Sequence, residues 1–267
     1  MILKARINSI ELAYDDHGIG LPVLFLHAFP LNRTMWTSTI TSLLAEQRYR
    51  LVAPDWRGFG ESELATSVST MDLFADDLAA LMDQLGMLQA VLCGLSMGGY
   101  ASFAFLRKYP QRVYALILAD TKPAADSQEV RDNREQVAQI AESQGTSAIA
   151  DLQLPKLLSE QTRQQQLTVE IAVRRMIDMA TPAGIAAASR GMALRSDSTA
   201  LLPTLHVPTL VIVGEHDALT PPSLTYDYAA QIPGAHITTI PHAGHLSNLE
   251  QPDYFLNAVR SFLITLP

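Results

Sequence analysis

The run "AVLCGLSMGGYASFAFLRKYP", Ala90 to Pro110, frames the reading of the whole chain. An apolar stretch of strand length gives way at once to a helix-like one, and Ser96 stands at the change between Gly94 and Gly98. A sharp strand-to-helix turn strains the backbone of its apex residue and crowds its neighbours, so small residues are needed two before and two after. The same turn lifts the apex hydroxyl clear of a sheet. It also sets the next backbone N–H, that of Met97, at a helix N-terminus, where it can stabilise an oxyanion. Two readings compete here: Ser96 as a nucleophile, or Ser96 as a small polar cap in a glycine-rich turn.

Outward from this turn, short aliphatic runs recur at "VLFLH" (Val23 to His27), "RLVAPD" (Arg50 to Asp55), "VYALILAD" (Val113 to Asp120), "PTLVIVGEHD" (Pro208 to Asp217) and "ITTIPHAGH" (Ile237 to His245). Near-continuous apolarity over so few residues predicts strands buried on both faces. Helix-length amphipathic segments separate most of them. The clearest is Met71 to Leu85, with Thr70 as N-cap, Gly86 as C-terminal stop, and Leu73, Phe74, Leu78, Leu81 and Leu85 at helical spacing. Such alternation implies an α/β fold with a mostly parallel sheet and helices on both faces. Ile2 to Ile7 and Glu11 to Asp15 predict an antiparallel hairpin at one edge. The alternation stops between Lys122 and Leu202, where Gln, Ala, Arg and Met dominate and helical patterns such as Gln161 to Ala180 appear. The expected organisation is a core of residues 1–121 and 203–267 with a helical cap, 122–202, inserted between two strands. No internal repeat is visible.

Bulk properties narrow the partners. The 267 residues, 48% hydrophobic, suit one large domain with an insertion. A net charge of -8 argues against nucleic acid or an anionic membrane as partner and favours small-molecule chemistry. No run approaches a membrane span, and the amino-terminal segment reads as strands rather than a signal peptide, so the cytoplasm is the expected location. The single cysteine, Cys93, excludes an intramolecular disulfide and a cysteine-based metal cage. The "NRT" triplet at Asn32 carries no weight in such a protein.

A serine nucleophile needs a base, and the base an orienting acid, in the chain order Ser, Asp or Glu, His. Asp217 falls just past one predicted strand and His245 just past the next, at the strand ends where open α/β sheets place their sites. Asp120, also after a strand, and Glu215 compete for the acid's role; Asp217 is preferred for its place before the Pro221–Pro222 helix start. His242 lies three residues before His245, but without a third ligand or a HExxH helix the zinc reading is set aside. His17, His206, His216 and His236 read as surface or structural. The loop "HAFPLNRTMW" after "VLFLH" offers the Phe29 N–H as a second oxyanion donor, with His27 holding the loop's shape.

Taken together, "HAFP", "DWRGFGES" (Asp55 to Ser62), "GLSMGG", "GEHDALTPP" and "HAGHLSNLEQP" resemble the α/β-hydrolase fold family in order and spacing along nearly the whole chain. The resemblance implies an eight-stranded sheet, Ser96, Asp217 and His245 as the triad, and Phe29 with Met97 as the oxyanion hole. It makes "DWRGFGES" a structural loop near the pocket. Ala28 departs from the glycine that many members carry there, which restricts the loop without removing the donor. Dehalogenase and epoxide-hydrolase branches carry aspartate in place of Ser96. The nearest flavours are enol-lactonase-like hydrolases and cofactor-free haloperoxidase-like esterases.

In the cap, Met176, Met179 and Met192 read first as packing and second as a pocket lining. Arg131, Arg134, Arg174, Arg175, Arg190 and Arg195 lend it a basic character that solvated helix faces explain as well as a carboxylated substrate does. The expectation is a serine hydrolase of small carboxylic esters or lactones, with no cofactor and no metal. The rivals are perhydrolysis on the same residues and a hydrolase-like ligand-binding or signalling protein. Nothing in the sequence speaks to oligomeric state.

Overall fold

Strands β1 (Leu3–Ile7) and β2 (Ile10–Gly18) pair antiparallel at one edge, as the alternating amino-terminal pattern predicts. β2 runs three residues beyond the predicted hairpin arm, because its second half pairs antiparallel with β4 (Tyr49–Pro54). The computed structural model describes residues 2–266; Met1 and Pro267, the ends of the expected core, lie outside the described residues. The remaining strands, β3 (Leu21–Leu26), β5 (Ala90–Leu95), β6 (Val113–Ala119), β7 (Thr209–Gly214) and β8 (His236–Ile240), run parallel with β4. The order across the eight strands is β1-β2-β4-β3-β5-β6-β7-β8. β5 and β7 are buried at every residue, which is why their sequences are apolar without alternation.

The chain leaves β3 toward β4 on one side and later returns to β5 on the other. That reversal opens a crevice beyond the carboxyl ends of β3 and β5, the usual place for a ligand in an open α/β sheet. α1 (Thr37–Leu44) packs with α10 (Pro252–Thr265), and α2 (Met71–Gln84) with α3 (Met97–Lys108). α2 begins as predicted: the Thr70 hydroxyl accepts the Leu73 N–H at 3.1 Å. Past its end, Gly86 takes φ +68.

Between β6 and β7 lie four α-helices, α4 (Gln128–Leu157), α5 (Glu160–Gln165), α6 (Leu167–Asp178) and α7 (Pro182–Ala193), followed by a short 3-10 turn, Thr199–Thr204. α4 bends sharply at Gly145 (φ 81), whose backbone is not helical, so it forms two arms. The Gln161–Ala180 pattern, expected as one helix, is divided into α5 and α6. Gln166 leaves the helical region there (φ -125, ψ 59), and its side-chain amide donates to the Glu250 carbonyl at 3.5 Å. α8 (Pro222–Ala229) and the short α9 (Ser247–Glu250) complete the α-helices among the described residues. Among the described residues no helix is long and apolar enough to cross a membrane.

Candidate active site

The turn after β5 has the strain its glycines imply. Ser96 adopts φ 56, ψ -112, a conformation costing a non-glycine residue about 1–3 kcal/mol. A Cβ on Gly94 would come within 2.4 Å of the Gly98 carbonyl, and one on Gly98 within 2.1 Å of the Leu26 carbonyl. Both positions must therefore be glycine. The Ser96 N–H donates to the Ala119 carbonyl, and the Thr121 hydroxyl donates to the Ser96 carbonyl, both at 2.9 Å. Although Ser96 occupies the N-cap position of α3, its side chain makes no capping bond. The capping alternative thereby loses its physical basis.

Instead, the Ser96 hydroxyl lies 2.8 Å from His245 Nε2, and His245 Nδ1 lies 2.8 Å from Asp217 Oδ2. With Oγ–H donating to Nε2, Nδ1 carries the proton and donates to the carboxylate. Asp217 Oδ1 accepts the N–H groups of Leu219 (2.8 Å) and Thr220 (3.0 Å), and Oδ2 accepts the Thr220 hydroxyl. Burial alone would raise the Asp217 pKa; the His245 charge and these hydrogen bonds outweigh it and bring it to about 2. Burial alone would lower the His245 pKa; the neighbouring Asp217 carboxylate outweighs that and raises it.

The competitors for the acid's role are placed elsewhere. Asp120 follows β6, but its carboxyl meets the Gly214 N–H at 2.8 Å and the Ser247 hydroxyl at 2.5 Å, not His245. Full burial, then repulsion from Asp217, raise its pKa well above the ordinary 3.8. Glu215 is exposed and accepts the His242 N–H at 2.8 Å. Glu215, His216 and His242 form an exposed cluster that excludes His245, with ligand atoms within 4.8 Å of one another. His17, His206 and His236 are also exposed.

His27 holds its loop as the sequence suggests. Nε2 accepts the Trp56 N–H at 2.9 Å, which leaves Nδ1–H to donate to the Ala28 carbonyl at 2.9 Å. Fully buried, its pKa falls to about 3, and it is neutral at physiological pH. Asp55 of "DWRGFGES" accepts the Arg33 N–H at 2.7 Å, pairs with the Arg33 guanidinium, and accepts the Glu61 N–H at 3.0 Å. The loop is held by hydrogen bonds to Arg33, His27 and Asp77 as well as within itself. Phe29 shares with Ser96 and His245 the wall of a cavity of about 210 Å³. Met97 opens α3, where first-turn N–H groups have no intrahelical acceptor. Of the three methionines singled out, Met192 lines this cavity, Met176 is packed in the core and Met179 is exposed.

Sequence reasoning passed over Glu250. Its buried carboxylate accepts the N–H groups of Ser159 (2.8 Å), Gly244 (2.9 Å) and Leu246 (3.3 Å) and the Thr162 hydroxyl (2.7 Å). It thus binds the His245 loop to the α4–α5 junction. The signal was present in "HLSNLEQP", but nothing local says that this glutamate points inward.

A doubly wound sheet with a strained serine after β5, and with histidine and aspartate after β8 and β7, defines a serine-type α/β architecture. The chain belongs to the alpha/beta hydrolase fold family, whose model matches residues 22–252. It is similar to the solved structure of a thermophilic esterase from Thermogutta terrifontis, reported with malate bound, at 45% identity and a TM-score of 0.95 over 100% of this chain and 99% of that one. An enol-lactonase from Burkholderia xenovorans LB400 is similar at 28% identity and a TM-score of 0.91, covering 98% of this chain and 100% of that one. A Synechocystis sp. protein provisionally named a non-heme chloroperoxidase is 30% identical over 96% of this chain and 95% of its own.

Proposed function

We propose that this protein is a cofactor-independent serine hydrolase of small carboxylic esters or lactones, with Ser96, His245 and Asp217 as its triad. The observation that carries the reading is the unbroken path of two 2.8 Å hydrogen bonds from Asp217 through His245 to Ser96. Ser96 Oγ attacks the ester carbonyl as His245 Nε2 takes its proton; Asp217 fixes the tautomer and stabilises the imidazolium. The oxyanion is received by the N–H groups of Phe29 and Met97, each such donor lowering the barrier by about 3–4 kcal/mol. His245 then protonates the leaving alcohol. Water, deprotonated by His245, cleaves the acyl-serine and releases the acid. Esterase and enol-lactonase names among the similar proteins support the substrate class.

In this reading residues 122–202 act as a cap over a core of 1–121 and 203–267, and the helices between β6 and β7 close the cavity from above. The partner is a small molecule rather than nucleic acid or membrane, in keeping with the net charge of -8, and the cytoplasm is the place expected for it. The test is hydrolysis of p-nitrophenyl esters from acetate to octanoate, and of simple lactones, by wild type beside Ser96→Ala. The expected result is multiple turnover, best with short acyl groups, that falls by about 10³-fold or more in the variant. Ser96→Ala retaining most of the activity would overturn the assignment. The haloperoxidase-named relative favours a second reading, perhydrolysis, in which hydrogen peroxide replaces water at the acyl-serine. Peroxide-dependent peracid formation outrunning ester hydrolysis would select it.

A further inference from the structure

Much of the cavity wall that Ser96 shares comes from the two arms of α4. Val130, Asn133, Arg134 and Val137 recur at helical spacing on the first arm, and Gln153, Lys156 and Leu157 do so on the second. Each arm therefore turns one face to the cavity. That lining includes the cations Lys122, Arg134 and Lys156 and, among the described residues, no carboxylate. In a chain with 27 acidic and 19 basic residues this is a reversal of the average surface.

Internal pairing does not neutralise it. Lys122, Arg134 and Arg195 share one carboxylate, Asp126, at 3.9, 3.3 and 2.6 Å. Asp197 nearby is held below its ordinary pKa first by hydrogen bonds from Thr199, then by the Ala125 N–H and Arg195. Lys156, exposed at the end of α4, makes no ion pair among the described residues. The field around Lys122 is net positive: after burial, the largest influence lowering its pKa is repulsion from Arg195, and Arg134 adds to it against Asp126. A bound anion would relieve that repulsion.

We propose that the preferred substrate is an ester carrying a free carboxylate, of the kind formed by a mono-ester of a short dicarboxylic acid. Its remote carboxylate docks among Lys122, Arg134 and Lys156 while its ester carbonyl meets Ser96. The inference rests on the serine-hydrolase reading and adds to it the charge of the substrate. Asn133 and Gln153 stand on the same two helix faces and supply neutral donors beside the cations.

The test compares matched pairs by pH-stat: monoethyl adipate against ethyl hexanoate, and 4-acetoxybenzoate against phenyl acetate, so that the carboxylate sits on the acyl side in one pair and on the alcohol side in the other. Wild type should favour the anionic member of at least one pair by about tenfold or more in kcat/KM. The preference should shrink in about 0.5 M salt, where exposed charges are screened. In Lys156→Glu the anionic-to-neutral ratio should fall about tenfold, with the melting temperature reporting that the fold is kept. The ratio cancels any general loss of activity. Neutral esters turned over through Ser96 with no preference for either anionic partner would overturn the anionic substrate and leave the hydrolase intact. A wild-type preference that survives in Lys156→Glu would overturn the docking site. Turnover of every ester indifferent to Ser96→Ala would remove both readings.

Discussion

At Ser96 the backbone accepts a conformation that only a crowded, over-determined turn can hold, and Gly98 is the residue that permits it. A methyl group at Gly98 would meet the Leu26 carbonyl, which is backbone and cannot rotate away. Gly98→Ala is therefore expected to cost about 3 kcal/mol or more of stability, read as a lower urea midpoint. Asp217 is tested differently, because asparagine keeps its shape. In Asp217→Asn the amide presents a donor to Nδ1, favours the wrong tautomer of His245, and should lower kcat by about 10³- to 10⁴-fold with little change in KM. Asp120 will not rescue this variant, since its carboxyl is engaged by Gly214 and Ser247. Retention of more than about a tenth of the activity would show that the two acids are interchangeable.

Between elements, the His245 loop is secured from the region between β6 and β7. Glu250 receives four hydrogen bonds from both sides of that junction, and the Leu246 N–H donates to the Leu157 carbonyl at 3.1 Å. Glu250→Gln would turn an amide donor toward groups that themselves donate, at a cost of about 1–3 kcal/mol. It should also remove a negative charge that helps to raise the His245 pKa, so the acid limb of kcat/KM should move to lower pH. A lowered melting temperature without that shift would make Glu250 a purely structural tie.

This is also the scale at which the sequence becomes hard to read. The strands were legible because burial on both faces leaves continuous apolar runs, as in β5 and β7, and the Ser96 turn because its steric need is local. Glu250 was not. Its role arises from partners far away in the chain, such as Ser159, and no spacing encodes such a meeting. The break at Gln166 was missed for the same reason: α5 and α6 are separate where a distant carbonyl holds the chain.

For the whole molecule, two buried groups titrate in opposite senses and give the pH dependence of folding a form that can be predicted. The His27 pKa is lowered from its ordinary 6.5 to about 3, chiefly by burial, so the unfolded chain binds a proton in that window and the folded one does not. Its contribution to stability is complete above pH 6.5 and is lost as pH falls toward about 3, at about 1.4 kcal/mol per pH unit. Asp120, whose pKa burial raises above its ordinary value, acts oppositely: its contribution is complete below 3.8 and is lost as pH rises through its elevated folded value. Over the range they share the two slopes oppose, and wild type should show a flatter acid dependence than either variant alone predicts. The stability difference between wild type and His27→Gln, from urea unfolding, should shrink as pH falls from 6.5 toward 4, because glutamine has no proton to gain. The difference between wild type and Asp120→Asn should grow over the same descent. Differences between variants cancel the titration of the many surface carboxylates, so each isolates one buried group. If both differences stay constant with pH, His27 and Asp120 titrate alike in the folded and unfolded chains, and the loops after β3 and β6 are wetter than their burial implies.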